Sequence, residues 1–296
     1  MNIDALKLFA AVSRAGSFAA LARERAVDPS SVSRTVALLE ADLGVRLFDR
    51  TTRRLALTEA GRLYLDRIAP LLDEVDAAGE AARDAVSEPS GTLRVTASVA
   101  FGERWLMPRV ASFREAFPRI RLDLSLSDAV VDITAERIDL AIRLGPRVTG
   151  AVVAARLFDT HYRIVASPAY LERCGWPAVP TDLAVHDGIV FPFAGYRSRW
   201  RFRSAGGSVD EVEPNVVLTV SNALAIRRAA LDGLGVALLA DWTIGDDLAD
   251  GSLVDLFPDR EASALDFDTA AWIVYADRAY VPARTRLFID HLRASL

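Results

Sequence analysis

Apolar residues in the first 43 positions recur at intervals of three or four, which is the period of an α-helix. The pattern predicts three helices, over residues 3–14, 18–25 and 29–43. Gly16 can adopt the left-handed conformation that ends the first helix, and Ser17 is a preferred cap for the second. Three short helices joined by tight turns predict a small helical domain at the start of the chain.

The third helix has the clearest start signal. Asp28 is a preferred N-cap residue, and Pro29 suits the first helical position because an amide there has no partner within the helix. Helical spacing places three apolar residues on the buried face, namely Val32, Val36 and Leu39. The outer face is then small and polar, and it consists of Ser30, Ser31, Ser33, Arg34 and Thr35. Such a face can enter a DNA groove without steric conflict, but it is equally typical of an ordinary solvated helix.

A short hairpin with a basic tip follows the third helix. Its arms carry alternating apolar residues, Leu47 and Phe48 in the first and Leu55 and Leu57 in the second. The arginines near the tip are Arg50, Arg53 and Arg54. Guanidinium groups bind phosphate oxygens through paired hydrogen bonds, so this tip suits contact with a sugar-phosphate backbone. The layout is that of a winged helix-turn-helix, which places a helix in the major groove.

The apolar pattern of residues 58–86 predicts one long helix. The helix ends before a Pro-Ser-Gly segment at residues 89–91. Its apolar residues follow alternating steps of four and three, and they are Tyr64, Ile68, Leu71, Val75, Ala78, Ala82 and Ala85. This heptad pattern is typical of a helix that pairs with a second helix. The same residues could pack on their own domain, but the helix is too long for so small a domain to cover. A dimerisation seam is therefore favoured, with the first five of these residues as candidates.

After residue 91 the chain alternates predicted strands and helices. The predicted elements are strands at 93–97, 120–125 and 138–143 and helices at 102–116 and 131–136. Such alternation is typical of parallel sheets with crossover helices, and it predicts an α/β fold. Residues 156–166 and 270–276 predict extended strands that cross between two lobes, and a helix at 283–294 closes the chain.

Charge is unevenly distributed along the 296 residues. The chain has a formal net charge of −5, yet residues 1–62 hold ten Lys and Arg against seven Asp and Glu. Because local charge governs attraction to phosphates, an acidic chain can still carry a basic DNA-binding domain. The single cysteine, Cys174, excludes a disulfide framework and a cysteine-based metal site. Without a signal sequence or a membrane-length apolar run, the chain is predicted to be cytoplasmic with no membrane partner.

Residues 1–88 resemble the DNA-binding region of LysR-type transcriptional regulators. The most specific matches are VSR at 32–34, LLEADLGVRLFDR at 38–50 and LTEAG at 57–61. The resemblance implies four DNA contacts, by Ser33, Arg34, Arg53 and Arg54. The family often has glutamine near residue 25 and around the start of the third helix. This chain has none there, so base preferences do not transfer from the family.

The remainder resembles the effector-binding portion of the same family, a two-lobed α/β fold shared with periplasmic binding proteins. The resemblance implies a multidomain chain, with a winged helix-turn-helix domain at 1–57, a dimerisation helix at 58–88 and an effector-binding domain at 89–296. Lobe one would cover 91–161 and 268–296, and lobe two would cover 162–267. The expected protein is a dimer or tetramer that binds double-stranded DNA and a small-molecule effector, and controls access of RNA polymerase to a promoter.

Two strand-to-helix junctions, at residues 98–101 and 221–223, predict a ligand site between the lobes. In open α/β sheets ligands lie beyond the carboxyl ends of strands, where helix N-termini offer free N–H groups and favour anions. The candidate effector-binding residues are Ser98, Val99, Phe101, Arg143, His161, Phe191, Ser221 and Asn222. Further candidates near the cleft are Arg147, Tyr162 and Tyr196. Both serines could instead act only as helix caps, which would explain them without a ligand.

No pattern indicates an enzyme, a metal site or a cofactor. The three histidines, His161, His186 and His291, are widely separated, and no HExxH, P-loop or GxSxG pattern occurs. A solute-binding protein would share the two lobes but would not carry a DNA-binding domain. An architectural DNA binder would have no use for the large two-lobed region. The family usually has a proline where this chain has Ala240, so the loop geometry there stays open.

Overall fold

Three helices and a two-stranded hairpin open the chain. The computed structural model describes residues 2–50, 55–84, 88–129, 131–133, 136, 138–146, 148–150, 152–193, 199–276 and 280–296. The first elements are α1 (Ile3–Ala15), α2 (Phe18–Glu24), α3 (Pro29–Leu43), β1 (Phe48–Arg50) and β2 (Leu55–Leu57). Because β1 and β2 pair antiparallel, with Phe48 opposite Leu57, the predicted order of three helices and a hairpin is confirmed.

The predicted caps define the ends of these helices. Ser17 Oγ accepts a hydrogen bond from Ala20 N at 3.3 Å, and Asp28 Oδ1 accepts one from Ser30 N at 2.7 Å. Gly44 ends α3 with φ of 69°, a left-handed conformation that disfavours residues with a Cβ. These local signals therefore act as the sequence indicates.

The apolar faces of these elements form one core around Phe9. Its ring lies edge-on to that of Phe48, with centroids 5.3 Å apart. Val36 and Leu39 of α3 are buried in the same cluster. At Gly61 an added Cβ would lie 2.0 Å from the backbone oxygen of Leu47, so only glycine permits this close approach between the following helix and the hairpin.

The long helix is α4 (Glu59–Asp84), and its apolar residues divide between two roles. Tyr64 and Ile68 pack in the core of their own domain, so their prediction as seam residues is corrected. Leu71 and Val75 are 59% and 50% exposed, and Ala78 is exposed as well. The domain covers only the first turns of the helix, and Leu72 rather than Leu71 continues the inward face.

Lobe one is built on a sheet of five strands among the described residues. Its order is β4 (Ile120–Leu126), β3 (Gly91–Ala97), β5 (Leu140–Gly145), β15 (Ala270–Ala276) and β6 (Val152–Asp159). Strand β3 pairs parallel with β4 and β5, whereas β15 pairs antiparallel with β5 and β6. Covering helices are α5 (Val99–Phe101), which continues through a π-helical turn (Gly102–Leu106) into α6 (Met107–Ala116), and α10 (Ala283–Ala294). In the predicted helix 131–136, the described residues form turns or coil.

Lobe two is built on a second sheet. The strands described there are β7 (Tyr162–Ala166), β8 (Asp187–Val190), β9 (Trp200–Ser204), β10 (Val209–Val212), β11 (Asn215–Thr219), β12 (Val236–Ala240), β13 (Val254–Asp255) and β14 (Arg260–Ser263). The helices are α7 (Pro168–Cys174), a 3₁₀ turn (Pro180–Val185), α8 (Ala223–Leu231) and α9 (Asp241–Asp250). The strand order in this sheet is β10-β9-β14-β7-β12-β8-β11, and β13 pairs with β7. Side chains of α8 and α9 pack in one buried cluster with those of β12.

Two segments cross between the lobes and are tied to each other. The predicted single strand 156–166 is two strands, because β6 ends at Asp159 in one sheet and β7 begins at Tyr162 in the other. Thr160 N donates to Thr269 O at 3.0 Å, and Thr269 Oγ1 donates to Thr160 O at 2.8 Å. These reciprocal hydrogen bonds hold the two connecting segments, at Thr160 and at Thr269, side by side.

In the described part of the chain, no single helix has the length and apolar character needed to cross a membrane. Helices α1 and α2 would satisfy these criteria only as a pair, and they are bent by 109° relative to each other. Their apolar side chains, including those of Phe9, Val12 and Leu21, are buried in the core of their own domain.

Candidate functional site

Helix α3 presents the predicted DNA-contacting residues on its outer face. Ser30, Ser31 and Arg34 are exposed, whereas Ser33 and Thr35 are half-buried. Several hydroxyl groups already donate to the helix backbone: Ser31 Oγ to Asp28 O at 2.7 Å, Ser33 Oγ to Ser30 O at 3.0 Å and Thr35 Oγ1 to Ser31 O at 3.0 Å. The hydroxyl oxygens keep their capacity to accept, and Arg34 supplies the exposed positive charge of this face.

The hairpin is held against α3 by Glu40. Its Oε1 accepts hydrogen bonds from Leu47 N at 2.8 Å and Phe48 N at 3.1 Å. Both donors belong to buried residues at the start of the hairpin, so Glu40 sets the position of the wing relative to α3. Arg53 and Arg54 lie outside the described residues, as does the side chain of Arg50.

Replacing Glu40 with alanine is expected to weaken DNA binding, although Glu40 is not itself a proposed DNA contact. The effect would arise because Glu40 positions the hairpin. Two buried amides would lose an acceptor, which costs the DNA-binding domain at least about 1 kcal/mol. Amide exchange of Leu47 and Phe48 should accelerate, and DNA affinity should fall with it. Glu40→Gln keeps one acceptor oxygen and should retain most of both properties. Unchanged exchange in Glu40→Ala would show that the hairpin is held by other contacts.

A cavity of about 280 Å³ opens between the two sheets of the C-terminal region. Four predicted residues line it: Ser98, Arg143, Phe191 and Ser221. The structure adds wall residues that no local pattern in the sequence marks, chiefly Asp128, Phe193, Trp242 and Thr243. Tyr162 lines it as well, whereas Arg147 and Tyr196 lie outside the described residues.

The other predicted effector residues do not line this cavity. Phe101 is fully buried, with its ring centroid 5.0 Å from that of Trp105 and 5.3 Å from that of Trp242. His161 is exposed and lies beside a smaller pocket at the crossing between the lobes. Helix spacing puts Phe101 one turn beyond the strand end, where it faces the core.

The two helix starts that were expected to bind an anion are occupied by the protein itself. Ser98 Oγ accepts from Phe101 N at 3.4 Å, and Asn222 Oδ1 accepts from Leu224 N at 3.0 Å, so both residues act as caps. Asp128 joins the two lobes between them: its Oδ1 accepts from Val99 N at 3.1 Å, and its Oδ2 accepts from Asn222 Nδ2 at 2.8 Å. At the first of these helix starts, the expectation of a free Val99 N–H is therefore corrected, because a carboxylate of the chain already accepts from it.

Arg143 brings positive charge to the cavity wall. It is half-buried, and its Nη2 donates to Val131 O at 3.0 Å. Burial lowers the pKa of the Arg143 guanidinium from its ordinary value, because a charged group is less well solvated there. Arginine nevertheless stays protonated in proteins, so the group offers a permanent charge with further N–H donors.

Asp128→Ala is expected to loosen the contact between the lobes. Val99 N and Asn222 Nδ2 would lose their shared acceptor, at a cost of about 1 kcal/mol because water can reach the open cavity. Thermal unfolding should begin earlier, and small-angle scattering should detect a wider separation of the lobes. Asn222→Asp retains the cap oxygen but places two carboxylates together, and it should act in the same direction. Identical scattering curves from the wild type, Asp128→Ala and Asn222→Asp would show that the hydrogen bonds of Asp128 do not hold the lobes together.

Comparisons with known proteins agree with this two-part organisation. The model of the bacterial regulatory helix-turn-helix protein, lysR family, matches residues 3–62, and that of the LysR substrate binding domain matches residues 87–296. The regulator CrgA of Neisseria meningitidis serogroup C (strain 8013) is 35% identical over 292 residues, covering 98% of this chain and 96% of that protein. The regulator PtxR of Pseudomonas aeruginosa is 35% identical over 304 residues, covering 100% and 93%.

Solved structures of full-length proteins match nearly the whole chain as well. The structure of CrgA, a LysR-type transcriptional regulator from Neisseria meningitidis, has a TM-score of 0.61 and 34% identity, and covers 100% of this chain and 99% of that one. The structure of the Vibrio cholerae virulence activator AphB has a TM-score of 0.62 and 27% identity, and covers 99% of each. Helix-turn-helix and two-lobed regulatory parts therefore occur together in these proteins, in the same order.

Proposed function

Since this chain belongs to the LysR family of transcriptional regulators, we propose that a small anionic metabolite, bound between its C-terminal lobes, changes its binding to a promoter. The chain has the helix-turn-helix and substrate-binding domains of that family, and its relatives are regulators rather than enzymes. DNA binding, a small-molecule effector and oligomerisation follow from membership. The anionic character of the effector, its site and the contact with RNA polymerase are the proposal.

The DNA contacts we propose are on α3 and the wing. The observation that supports them best is that α3, capped at Asp28, turns a small polar face with Arg34 outward while its apolar face is buried. The proposed contacts are Ser30, Ser31, Ser33, Arg34 and Thr35 in the groove and Arg50, Arg53 and Arg54 on the backbone. Backbone contacts position a protein, and groove contacts give it sequence preference.

The dimer seam we propose is the exposed part of α4. Leu71 and Val75 are apolar, lie one helical turn apart and are at least half exposed. Burying them against the same helix of a second copy would remove apolar surface from water and bring two wings to neighbouring half-sites. In this division residues 1–57 bind DNA, 58–88 dimerise, and 89–296 bind the effector.

The effector we propose carries a negative charge because Arg143 lines the cavity with its guanidinium half-buried. The cavity volume, about 280 Å³, is just below the range of about 300–1,000 Å³ that small-molecule sites usually span. A compact metabolite therefore fits better than a nucleotide or a peptide. By preferring one arrangement of the lobes, it would shift how the wings meet DNA and how polymerase reaches the promoter, within the cytoplasm.

The experiment that tests this function compares DNA binding with and without small carboxylates, for the wild type and Arg143→Gln. We expect one or more carboxylates to change the affinity or footprint of the wild type and to have a much smaller effect on the variant. Arg156→Gln, at an exposed arginine outside the cavity, is the matched control. An equal response in Arg143→Gln would refute the proposed charge recognition.

A further inference from the structure

The LTEAG segment at residues 57–61 connects the second arm of the hairpin to the long helix α4. Thr58 is the residue between them, since β2 ends at Leu57 and α4 begins at Glu59. Neither the proposed DNA contacts nor the proposed dimer seam uses this segment. Its hydrogen bonds reach back to the first arm of the hairpin, and they indicate what the segment does.

Thr58 uses its hydroxyl both as an acceptor and as a donor. Its Oγ1 accepts from Gly61 N at 2.9 Å, which caps the start of α4. The same hydroxyl donates to Arg46 O at 2.7 Å, and the Thr58 amide donates to Leu47 O at 3.0 Å. A helix cap needs only the acceptor. The two donated hydrogen bonds therefore do something else, which is to attach the start of α4 to the hairpin.

Leu47 is the residue at which α3, the hairpin and α4 meet. Its N–H donates to Glu40 Oε1 of α3 at 2.8 Å, and its carbonyl oxygen accepts from Thr58 N. Leu47 is fully buried, and the backbone of α4 passes so close that a Cβ added at Gly61 would lie 2.0 Å from Leu47 O. Because this connection runs through backbone atoms in close contact, it leaves little freedom for α4 to tilt relative to α3.

The angle between α3 and α4 matters because α4 carries the proposed seam. At 1.5 Å per helical residue, Leu71 lies about 20 Å along α4 from Thr58. A tilt of about 10° at Thr58 would then move the DNA-binding domain by about 3.5 Å relative to the seam, which is about the rise of one base pair. The fixed start of α4 would therefore set the distance between the two α3 helices of a dimer.

We propose that Thr58 is a positioning residue that fixes the spacing of the two half-sites bound by one dimer. It does so by donating hydrogen bonds to the hairpin, which hold α4 at a set angle to α3. This inference rests on the proposed DNA contacts of α3 and on the proposed seam along α4. A residue that only capped α4 would need its acceptor oxygen alone, so the donor is what distinguishes the two roles.

Substitutions at Thr58 separate the donor from the cap. Thr58→Ser keeps both functions of the hydroxyl. Thr58→Asp keeps the cap, since aspartate is at least as good an N-cap as threonine, but a carboxylate does not donate to Arg46 O. Thr58→Val has the shape of threonine without the hydroxyl, and it serves as a second variant if Thr58→Asp does not fold. Ser17→Ala is the matched control, because Ser17 caps α2 through a hydrogen bond to Ala20 N and joins no second element.

The test measures how affinity depends on the spacing of two half-sites, using the full-length proteins after circular dichroism has shown that each one folds. The half-sites come from random-sequence selection with the wild type, and further duplexes have one or two base pairs added or removed between them. Each base pair moves a half-site by about 3.4 Å and rotates it by about 35° around the duplex.

We expect the wild type, Thr58→Ser and Ser17→Ala to lose about ten-fold or more in affinity when the spacing changes by one base pair. In Thr58→Asp and Thr58→Val, affinity at the selected spacing should fall about three- to ten-fold, which is the effect of one lost hydrogen bond. The further loss for one base pair should shrink to about three-fold or less, because a looser start of α4 adapts to the new distance.

The outcomes distinguish this inference from the proposed function. If the wild type prefers one spacing and the folded Thr58 variants share that preference, the DNA contacts and the seam stand and the role of Thr58 is wrong. An equally broad spacing profile in Ser17→Ala would also overturn that role, because loss of any cap would then suffice. If the wild type binds two half-sites no better than one, the paired arrangement of wings is wrong, and the inference is wrong with it.

Discussion

Asp247→Ala is expected to lower the free energy of unfolding of the C-terminal region by about 3–5 kcal/mol, the usual effect of breaking a buried ion pair. Arg227 of α8 donates to both carboxylate oxygens of Asp247 in α9, through Nε at 2.5 Å and through Nη2. The Asp247 side chain is 5% exposed and that of Arg227 is 24% exposed, so we expect the lower end of the range. Chemical denaturation followed by tryptophan fluorescence measures the change.

The neighbouring residue provides the control. Arg228 forms an exposed pair with Asp232 one turn along α8, and Arg228→Ala should change stability by less than about 1 kcal/mol. The double variant Arg227→Met with Asp247→Leu should recover much of the loss, because apolar partners leave no buried charge. Equal effects of Asp247→Ala and Arg228→Ala would contradict the role assigned to this pair, which fixes α9 against α8.

Arg34→Ala is expected to weaken specific DNA binding by about 1–3 kcal/mol and to relax base preference at one position of the half-site. The physical reason is that a guanidinium in the major groove binds a base edge through two hydrogen bonds. Random-sequence selection followed by affinity measurement would report both effects. Arg121→Ala removes one exposed positive charge from lobe one and should leave both properties unchanged.

Arg53→Ala separates the roles of helix and wing. If Arg53 contacts a phosphate, all sequences should be weakened alike, and the slope of log affinity against log salt should become less steep by about one. Arg34→Ala should instead weaken binding to the preferred sequence more than binding to other sequences. Identical behaviour of the wild type and both variants would contradict the DNA contacts proposed for this domain.

Local sequence patterns predict the structure where a residue acts on its immediate neighbours. Asp28 and Pro29 start α3, and Gly44 ends it, because caps depend on a few adjacent backbone groups. Alternating apolar residues predicted the hairpin arms for the same reason. Such local patterns predicted the helical domain and the strands of lobe one, but few of the strands described in lobe two.

Local sequence patterns do not predict a contact whose partner is distant along the chain. Asp128 joins Val99, 29 residues away, to Asn222, 94 residues away, and no local pattern marks it.

The heptad pattern of α4 is ambiguous for a different reason. Periods of 3.5 and 3.6 residues diverge little over two turns, so spacing alone does not separate Ile68, which packs inward, from Leu71, which is exposed.

The exposed polar face of α3 and the interlobe cavity suggest how one chain would couple metabolite concentration to transcription. Coupling requires only that the effector prefer one arrangement of the lobes, and that this arrangement alter the spacing of the wings in the oligomer. Asp128 and Trp242 are two of the residues that connect the described lobes beside the cavity. Variants at these positions should therefore change the effector response more than they change DNA affinity.

We would first measure a footprint of the purified protein on the DNA upstream of its own gene, at two salt concentrations, with and without a panel of small carboxylates. We expect protection of two or more separated half-sites, stronger at low salt and altered by at least one carboxylate. Absence of protection at low salt, together with no sequence enriched by random selection, would contradict sequence-specific DNA binding by this protein.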